Sequence, residues 1–343
     1  MEYFKLYGNC FIVKGASQAQ IYDLHTNKSF EISLNLANLY EDELEVLPLN
    51  QVYKKYSTWA LNIKEFINYL MENDLGFKTT EPDNFPDMSK SFRIYNKIYS
   101  AVIELDMPLL QEEKTLAKYL NLLDDLRASG CFHFCLVIRD KIKDKSGLQK
   151  LLASFKESRV RTVKVILDKP YLDFDELDSI TNDMRVSYKI YSAPTDDKVK
   201  GRWWYKESKF GFELIEYTTN KFDLNKKTNY SKVNLIVSSA TFTESQKHNP
   251  FFNKKVCISK GGDYKNDLSF SDSYGNFRSK PLTELLADDA FTELWLMSND
   301  KIETCKICQF RYACTGNSNV INKNGQYHKV DACQFDPVSN VWN

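Results

Sequence analysis

Neither charge dominates this sequence. Lys plus Arg number 46 and Asp plus Glu number 46, so the formal net charge is zero. The basic surplus that marks a nucleic-acid binder is missing, and no nucleic-acid partner is expected. Long apolar runs are missing too. No stretch approaches the ~18 apolar residues of a membrane span, so no membrane partner is expected. The opening MEYFKLYGNCFIVKG has no basic region followed by an apolar run, so no signal peptide is expected. The expected compartment is then the cytoplasm, where thiols stay reduced. Common catalytic signatures are absent: there is no H-E-x-x-H, no Walker loop and no G-x-S-x-G. Gly261-Gly262 reads as a turn, and the histidines at 25, 133, 248 and 328 are scattered.

What remains is the composition of a soluble globular protein, 43% hydrophobic and 27% charged. At 343 residues, two or three domains are expected. Tyr3–Val13 and Gln20–Ser33 are rich in aromatic and β-branched residues and are separated by polar breaks, which predicts strands of a hairpin or meander. Thr58–Asn73 carries Ala60, Ile63, Phe66, Ile67 and Leu70 at helical spacing, with Gly76 as the expected helix stop. Lys78–Ser91, with two prolines, reads as a linker. The first domain is placed at 1–80.

The middle of the chain alternates strands and helices. Strands are expected at Ala101–Leu105, Phe132–Ile138, Val160–Leu167 and Val186–Tyr191. Helices are expected at Glu112–Ser129 (Leu116, Tyr119, Leu120, Leu123 and Leu126 on one face), Leu148–Glu157 and Phe174–Asn182. This alternation implies parallel strands joined by right-handed crossovers, about four units against the eight of a closed barrel. A further strand is expected at Val233–Ser238, giving a second domain over 95–245. A loop-rich third domain, 250–343, is interrupted by a helix at Leu282–Leu296. The aromatic run Trp203-Trp204-Tyr205, beside Arg202 and Lys206, reads as packing before it reads as a ligand platform.

Eight cysteines in a reducing compartment suggest metal ligands or buried apolar groups rather than disulfides. Four lie at or beyond residue 305, as Cys305-x2-Cys308-x5-Cys314 and then Cys333. A C-x2-C turn lets two thiolates converge on one centre, and Cys333 can close the site from a separate loop. Thiolates suit an iron–sulfur cluster or zinc. Zinc ribbons usually use two C-x2-C pairs, and the second pair is missing here, which favours iron–sulfur. His328, near Cys333, reads as a surface or hydrogen-bonding histidine.

The tail Cys305-Lys-Ile-Cys308-Gln-Phe-Arg-Tyr-Ala-Cys314, with Cys333-Gln-Phe-Asp-Pro337 and Trp342, resembles the SPASM domain of peptide-modifying radical SAM enzymes. It is most similar to the maturases of "grasp-with-spasm" peptide systems. The resemblance reaches upstream through Phe242–Gln246, Cys257–Gly262 and Tyr274–Asn276. It implies that Cys305, Cys308, Cys314 and Cys333 hold one [4Fe–4S] cluster, with Zn2+ as the alternative. The family's other cluster is not implied: Cys257 remains, but Asp267 and Ser318, with Asn317 beside it, stand where further cysteines are needed.

The radical SAM pattern itself is also broken. After the first barrel strand the chain reads Asp106-Met-Pro-Leu-Leu110, with no C-x3-C-x2-C. Cys131-x3-Cys135 lacks its third cysteine, Ile138 standing there, and reads as structural. Neither S-adenosylmethionine binding nor generation of its radical is expected. The N-terminal segment resembles, in pattern, the small winged-helix element that recognises leader peptides. Such an element adds an extended leader to a free strand edge beside a helix. Here that would be Lys28–Ser33 and Trp59–Met71, with Phe30, Ile32, Ile63 and Phe66 as peptide-binding candidates or as that domain's own core.

The expected fold is therefore α/β: a winged-helix-like N-terminal domain, a degenerate partial (β/α) barrel and a SPASM C-terminal domain. The expected role is maturation of a ribosomally synthesised peptide, as a precursor-binding protein working with an ATP-grasp ligase. The alternatives are an iron–sulfur maturase with redox chemistry and a zinc-stapled interaction protein.

Overall fold

A computed structural model describes residues 1–169, 177, 180, 183, 185–193, 203–208, 211–224 and 235–343, with backbone alone for 203–208 and 211–214. By their contacts the residues fall into two compact units. One comprises Met1–Arg93, Lys227–Phe251 and Trp295–Asn343, the other Ile94–Lys226 and Phe252–Leu294. Within the segment 250–343, Phe252–Leu294 belongs to the second unit and the rest to the first. Among the described residues no helix is long and apolar enough to cross a membrane.

In the first unit, β1 (Tyr3–Leu6) is followed by the antiparallel meander β2 (Cys10–Lys14), β3 (Gln18–Asp23) and β4 (Lys28–Ser33). Register pairs Ile12 with Ile21 and Ile21 with Phe30. Strand alternation sends neighbouring side chains to opposite faces. Ala19, Ile21 and Ile32 join the core under the helices α1 (Leu34–Leu39), α2 (Leu49–Lys55) and α3 (Ala60–Glu72). Phe11, Val13, Tyr22 and Leu24 form a second core with Phe242 and Ala313. Both faces of the sheet are therefore covered, which explains why β3 is buried along nearly its whole length.

Three local expectations need correction here. The strand read as Tyr3–Val13 is broken by a turn at Tyr7, whose carbonyl accepts from Cys10 N at 2.8 Å. β1 pairs instead with β5 (Gly76–Thr79). The helix α3 ends at Glu72, and it is Asp74, not Gly76, whose φ of 54° turns the chain while Leu75 N bonds back to Leu70 O at 2.8 Å. Gly76 is needed for packing, because a Cβ there would stand 2.5 Å from Phe4 Cζ and 2.6 Å from Lys5 O.

The second unit is built on one eight-stranded sheet. Its strands are β6 (Ser100–Leu105), β7 (His133–Ile138), β8 (Thr162–Leu167), β9 (Val186–Ile190), β10 (Trp203–Ser208), β11 (Gly211–Tyr217), β12 (Lys255–Ile258) and β13 (Tyr264–Lys265), in the order 13-12-6-7-8-9-11-10. β12, β6, β7, β8, β9 and β11 are parallel, and the outermost β10 and β13 are antiparallel to their neighbours. The crossover helices α4 (Glu113–Ala128) and α5 (Ser146–Ala153) follow β6 and β7. On α4 the buried stripe is Leu116, Tyr119, Leu122, Leu123 and Leu126, with Leu120 only half-buried.

The described part of the expected strand Val233–Ser238, residues 235–238, does not join this sheet. Among its described residues only an isolated bridge from Leu235 to Cys314 forms, and Ser238 caps the next helix. The expected helix Leu282–Leu296 is broken into Leu282–Leu286, Asp289–Thr292 and a tight turn at Glu293–Leu296. The break falls at Asp288, whose carboxylate caps Ala290 N at 3.1 Å and holds Lys280 Nζ at 2.8 Å. The expected helix Phe174–Asn182, apart from Leu177 and Ile180, lies outside the described residues, as do the side chains of Trp203, Trp204 and Tyr205.

The first unit is completed by α6 (Ser239–Ser245), α7 (Glu303–Lys306) and two small hairpins. These are β14 (Val320–Lys323) with β15 (Gln326–Lys329), and β16 (Phe335–Asp336) with β17 (Val341–Trp342).

Gly76→Ala should destabilise this unit by about 1–3 kcal/mol, the usual cost of forcing an extra carbon into a filled core. Urea unfolding measures it, and an unchanged midpoint would contradict the packing described.

Candidate functional site

The four C-terminal cysteines are placed by short backbone bonds. Cys305 lies in α7, its N–H bonded to Ile302 O at 2.9 Å. Cys308 N–H returns to Cys305 O at 2.9 Å, closing the C-x2-C turn, and Cys314 N–H bonds to Phe310 O at 2.9 Å. Two sulfur atoms accept backbone hydrogens: Cys308 Sγ from Phe310 N and Cys333 Sγ from Phe335 N, both at 3.4 Å. All four cysteines line one cavity of about 30 Å³, walled by Phe310, Phe335 and Trp342. These three rings pack at centroid distances of 4.8 to 5.7 Å.

An outer set of contacts holds the cysteine loop. Tyr22 Oη donates to Gln309 O at 2.6 Å, Arg311 Nη1 donates to Lys14 O at 2.7 Å, and Asn299 Nδ2 donates to Arg311 O at 2.7 Å. Gly15 lies close against this loop: a Cβ there would be 2.9 Å from Gln309 N. Every one of these partners lies within the first unit.

Burial is the main force on the thiols. It pushes Cys308 up to about 12, with Cys305, Cys314 and Cys333 adding to the rise. Burial raises Cys305 and Cys333 too, while the nearby Lys329 ammonium acts in the opposite direction on both. Thiols in such a pocket stay protonated on their own, so a bound metal has to displace their protons. Among the described residues no three Cys, His, Asp or Glu side chains are gathered as a set that would hold one metal ion. The four thiols share a cavity and each other's field without forming a ready one-ion cage. His328 sits on β15 opposite Ile321 and is not part of the cavity wall.

The remaining sequence candidates have structural roles. Cys257 is buried in β12 with its Sγ 3.4 Å from Asn266 O. Asp267 caps Ser269 N at 3.1 Å, and Ser318 is buried, accepting from Asp331 N at 2.9 Å. Burial pushes Cys10, Cys131 and Cys257 up to about 12 and Cys135 to about 11, which keeps them neutral and poorly nucleophilic.

A second site lies between β4, α1 and α3. Ile32, Ile63 and Phe66 are only 5%, 3% and 6% exposed. They form the floor of a groove of about 850 Å³ while also belonging to the core beneath it. Phe30 does not line the groove; it packs half-buried against the core. Residues that the sequence reading did not single out form the accessible wall, foremost Trp59 at 64% exposure and Tyr69. β4 pairs with β3 alone, which leaves its outer edge without a strand partner among the described residues.

No protein-family model and no curated protein matches the chain. Among solved structures it is similar to Streptococcus suis SuiB bound to S-adenosylmethionine, at 11% identity and a TM-score of 0.46, over 98% of this chain and 100% of that one. It is similar also to SuiB alone, at 11% identity and a TM-score of 0.43, over 96% and 100%. A third is SuiB bound to precursor peptide SuiA, at 11% identity and a TM-score of 0.44, over 98% and 100%.

The raised thiols set a pH dependence. An unfolded thiol titrates near its ordinary value of 9.0, whereas folded Cys10, Cys131 and Cys257 hold their protons to about 12. The folded form therefore binds more protons between those limits. Their stabilising contribution is complete below pH 9 and is lost as pH rises towards 12. Chemical denaturation at pH 8 and pH 10 should show the fall, shallower in Cys131→Ala; equal slopes in the two proteins would contradict it.

Proposed function

We propose that this protein binds the leader of a ribosomally synthesised precursor peptide and presents the precursor to an ATP-grasp ligase, with a SPASM-like cysteine site stabilising its C-terminal segment. The observation that carries this reading is the presence, in one compact unit, of a four-thiol cavity and an apolar groove beside a free strand edge. The groove offers the two elements needed for strand addition: an edge whose backbone groups are free to pair, and apolar side chains for alternate residues of the incoming strand. Ile63, Phe66 and Trp59 supply those contacts.

The donor chemistry of the cysteine cavity suits an iron–sulfur group. Cys305, Cys308, Cys314 and Cys333 would hold it, and no carboxylate lines the cavity. When bound, such a cluster ties two distant loops together and adds its binding energy to folding. Phe310, Phe335 and Trp342 screen it from water. Asp106–Leu110 supplies no thiolate after β6, so the reading includes no radical chemistry from S-adenosylmethionine.

Pull-down of candidate precursor peptides by the purified full chain tests this reading. Binding of a leader with Kd on the order of tens of micromolar or tighter, with the ligase retained on the same resin, is expected. Failure of both, with and without the ligase, would contradict it.

A further inference from the structure

The groove between β4, α1 and α3 is charged with one sign. Its lining includes Glu31, Asp42, Glu43 and Glu65 and no Lys, Arg or His. Only Glu43 is neutralised within the protein: Lys55 Nζ lies 2.5 Å from its Oε1, and Tyr56 Oη donates to the same oxygen at 3.0 Å. Among the described residues Glu31 meets the amides of Gln20 and Asn340. Asp42 and Glu65 hold no ion pair among the described residues, and of the two only Asp42 feels a cation, the more distant Lys55 ammonium.

Glu43 adds an independent observation. It is 7% exposed, and its Oε2 is buried with no hydrogen-bond partner. A buried carboxylate oxygen left unpaired is costly, and native proteins leave few of them. Beside it stands Trp59, 64% exposed, an indole face of the kind that attracts ammonium and guanidinium groups. The groove thus joins an apolar floor, a free strand edge, uncompensated carboxylates and one orphaned acceptor.

We infer that the groove is specific for an extended peptide segment that carries Lys or Arg side chains next to its apolar anchors. This deepens the leader-binding reading and rests on it. The apolar residues of the segment sit over Ile63 and Phe66, its backbone pairs with the edge of β4, and its cations meet Asp42 and Glu65. Charge complementarity of this kind sets partner choice and association rate more than raw affinity. An acidic segment of equal hydrophobicity is repelled.

Selection of a randomised twelve-residue display library on the immobilised full chain tests the inference. Two variants read it out. Asn62→Trp fills the groove from an exposed position, and Asp42→Asn with Glu65→Gln removes charge at two residues that hold no ion pair. The expected result is enrichment of peptides with Lys or Arg within a few positions of apolar residues. Their capture should be lost in Asn62→Trp. It should weaken about threefold per carboxylate removed, and weaken further with added salt. Circular dichroism confirms that the variants are folded. Peptides that depend on Asn62 but show no basic enrichment would overturn the charge inference and leave the groove reading standing. An absence of any peptide sensitive to Asn62→Trp would overturn both. A dimer in light scattering that Asn62→Trp abolishes would assign the groove to a second copy of the chain and overturn the inference as well.

Discussion

The meander β2-β3-β4 is the part on which the rest of the first unit depends, because it is covered on both faces. Residues one apart on β3 serve different cores: Ile21 packs under the helices, and Tyr22 packs on the side of the cysteine loop. Tyr22 then reaches further, donating its hydroxyl to Gln309 O at 2.6 Å. Burial, and after it the neighbouring Cys308, raises this phenol well above its ordinary range, so it remains a neutral donor at every physiological pH. A single strand therefore supports the floor of the groove on one side and a backbone carbonyl next to Cys308 on the other. A one-residue slip of β3 would exchange the two faces, and neither site would form.

The cysteine site is a problem in proton balance as much as in geometry. Burial favours the neutral state of Cys305, Cys308 and Cys333, and Cys308 is pushed up to about 12. A metal centre reverses that preference by replacing protons with cationic charge. Lys329, close enough to lower Cys305 and Cys333, eases the change at two of the four. The surrounding hairpins β14-β15 and β16-β17 are short and bury little, so a centre held by Cys333 and the C-x2-C turn would contribute much of what keeps them in place.

Legibility in the sequence followed periodicity. β6 to β9 and their crossover α4 are long, regular patterns, and their positions were readable to within a few residues. What sequence did not show were pairings decided at long range. β12 takes its place beside β6 from some 150 residues later in the chain, and β1 finds β5 rather than β2. The helices α1 and α2 carry too few apolar positions each to declare themselves. Helix stops set by a left-handed Asp74 or by a capping Asp288 imitate ordinary polar residues. At the sites, cysteine spacing identified the four thiols that share a cavity. Apolar spacing identified Ile32, Ile63 and Phe66 as groove floor, but also Phe30, which shares the face of Ile32 and packs against the same core without lining the groove. The carboxylates and Trp59 escaped notice because a surface acid or an exposed aromatic has no periodic signature.

The central claim is that Cys305, Cys308, Cys314 and Cys333 ligate one iron–sulfur centre. The most direct measurement is iron, sulfide and zinc content of the full chain purified without oxygen, beside Cys308→Ala/Cys333→Ala. The account predicts about four iron and four sulfide per chain, lost in the double variant. Stoichiometric zinc without sulfide, or iron retained by the variant, would contradict it.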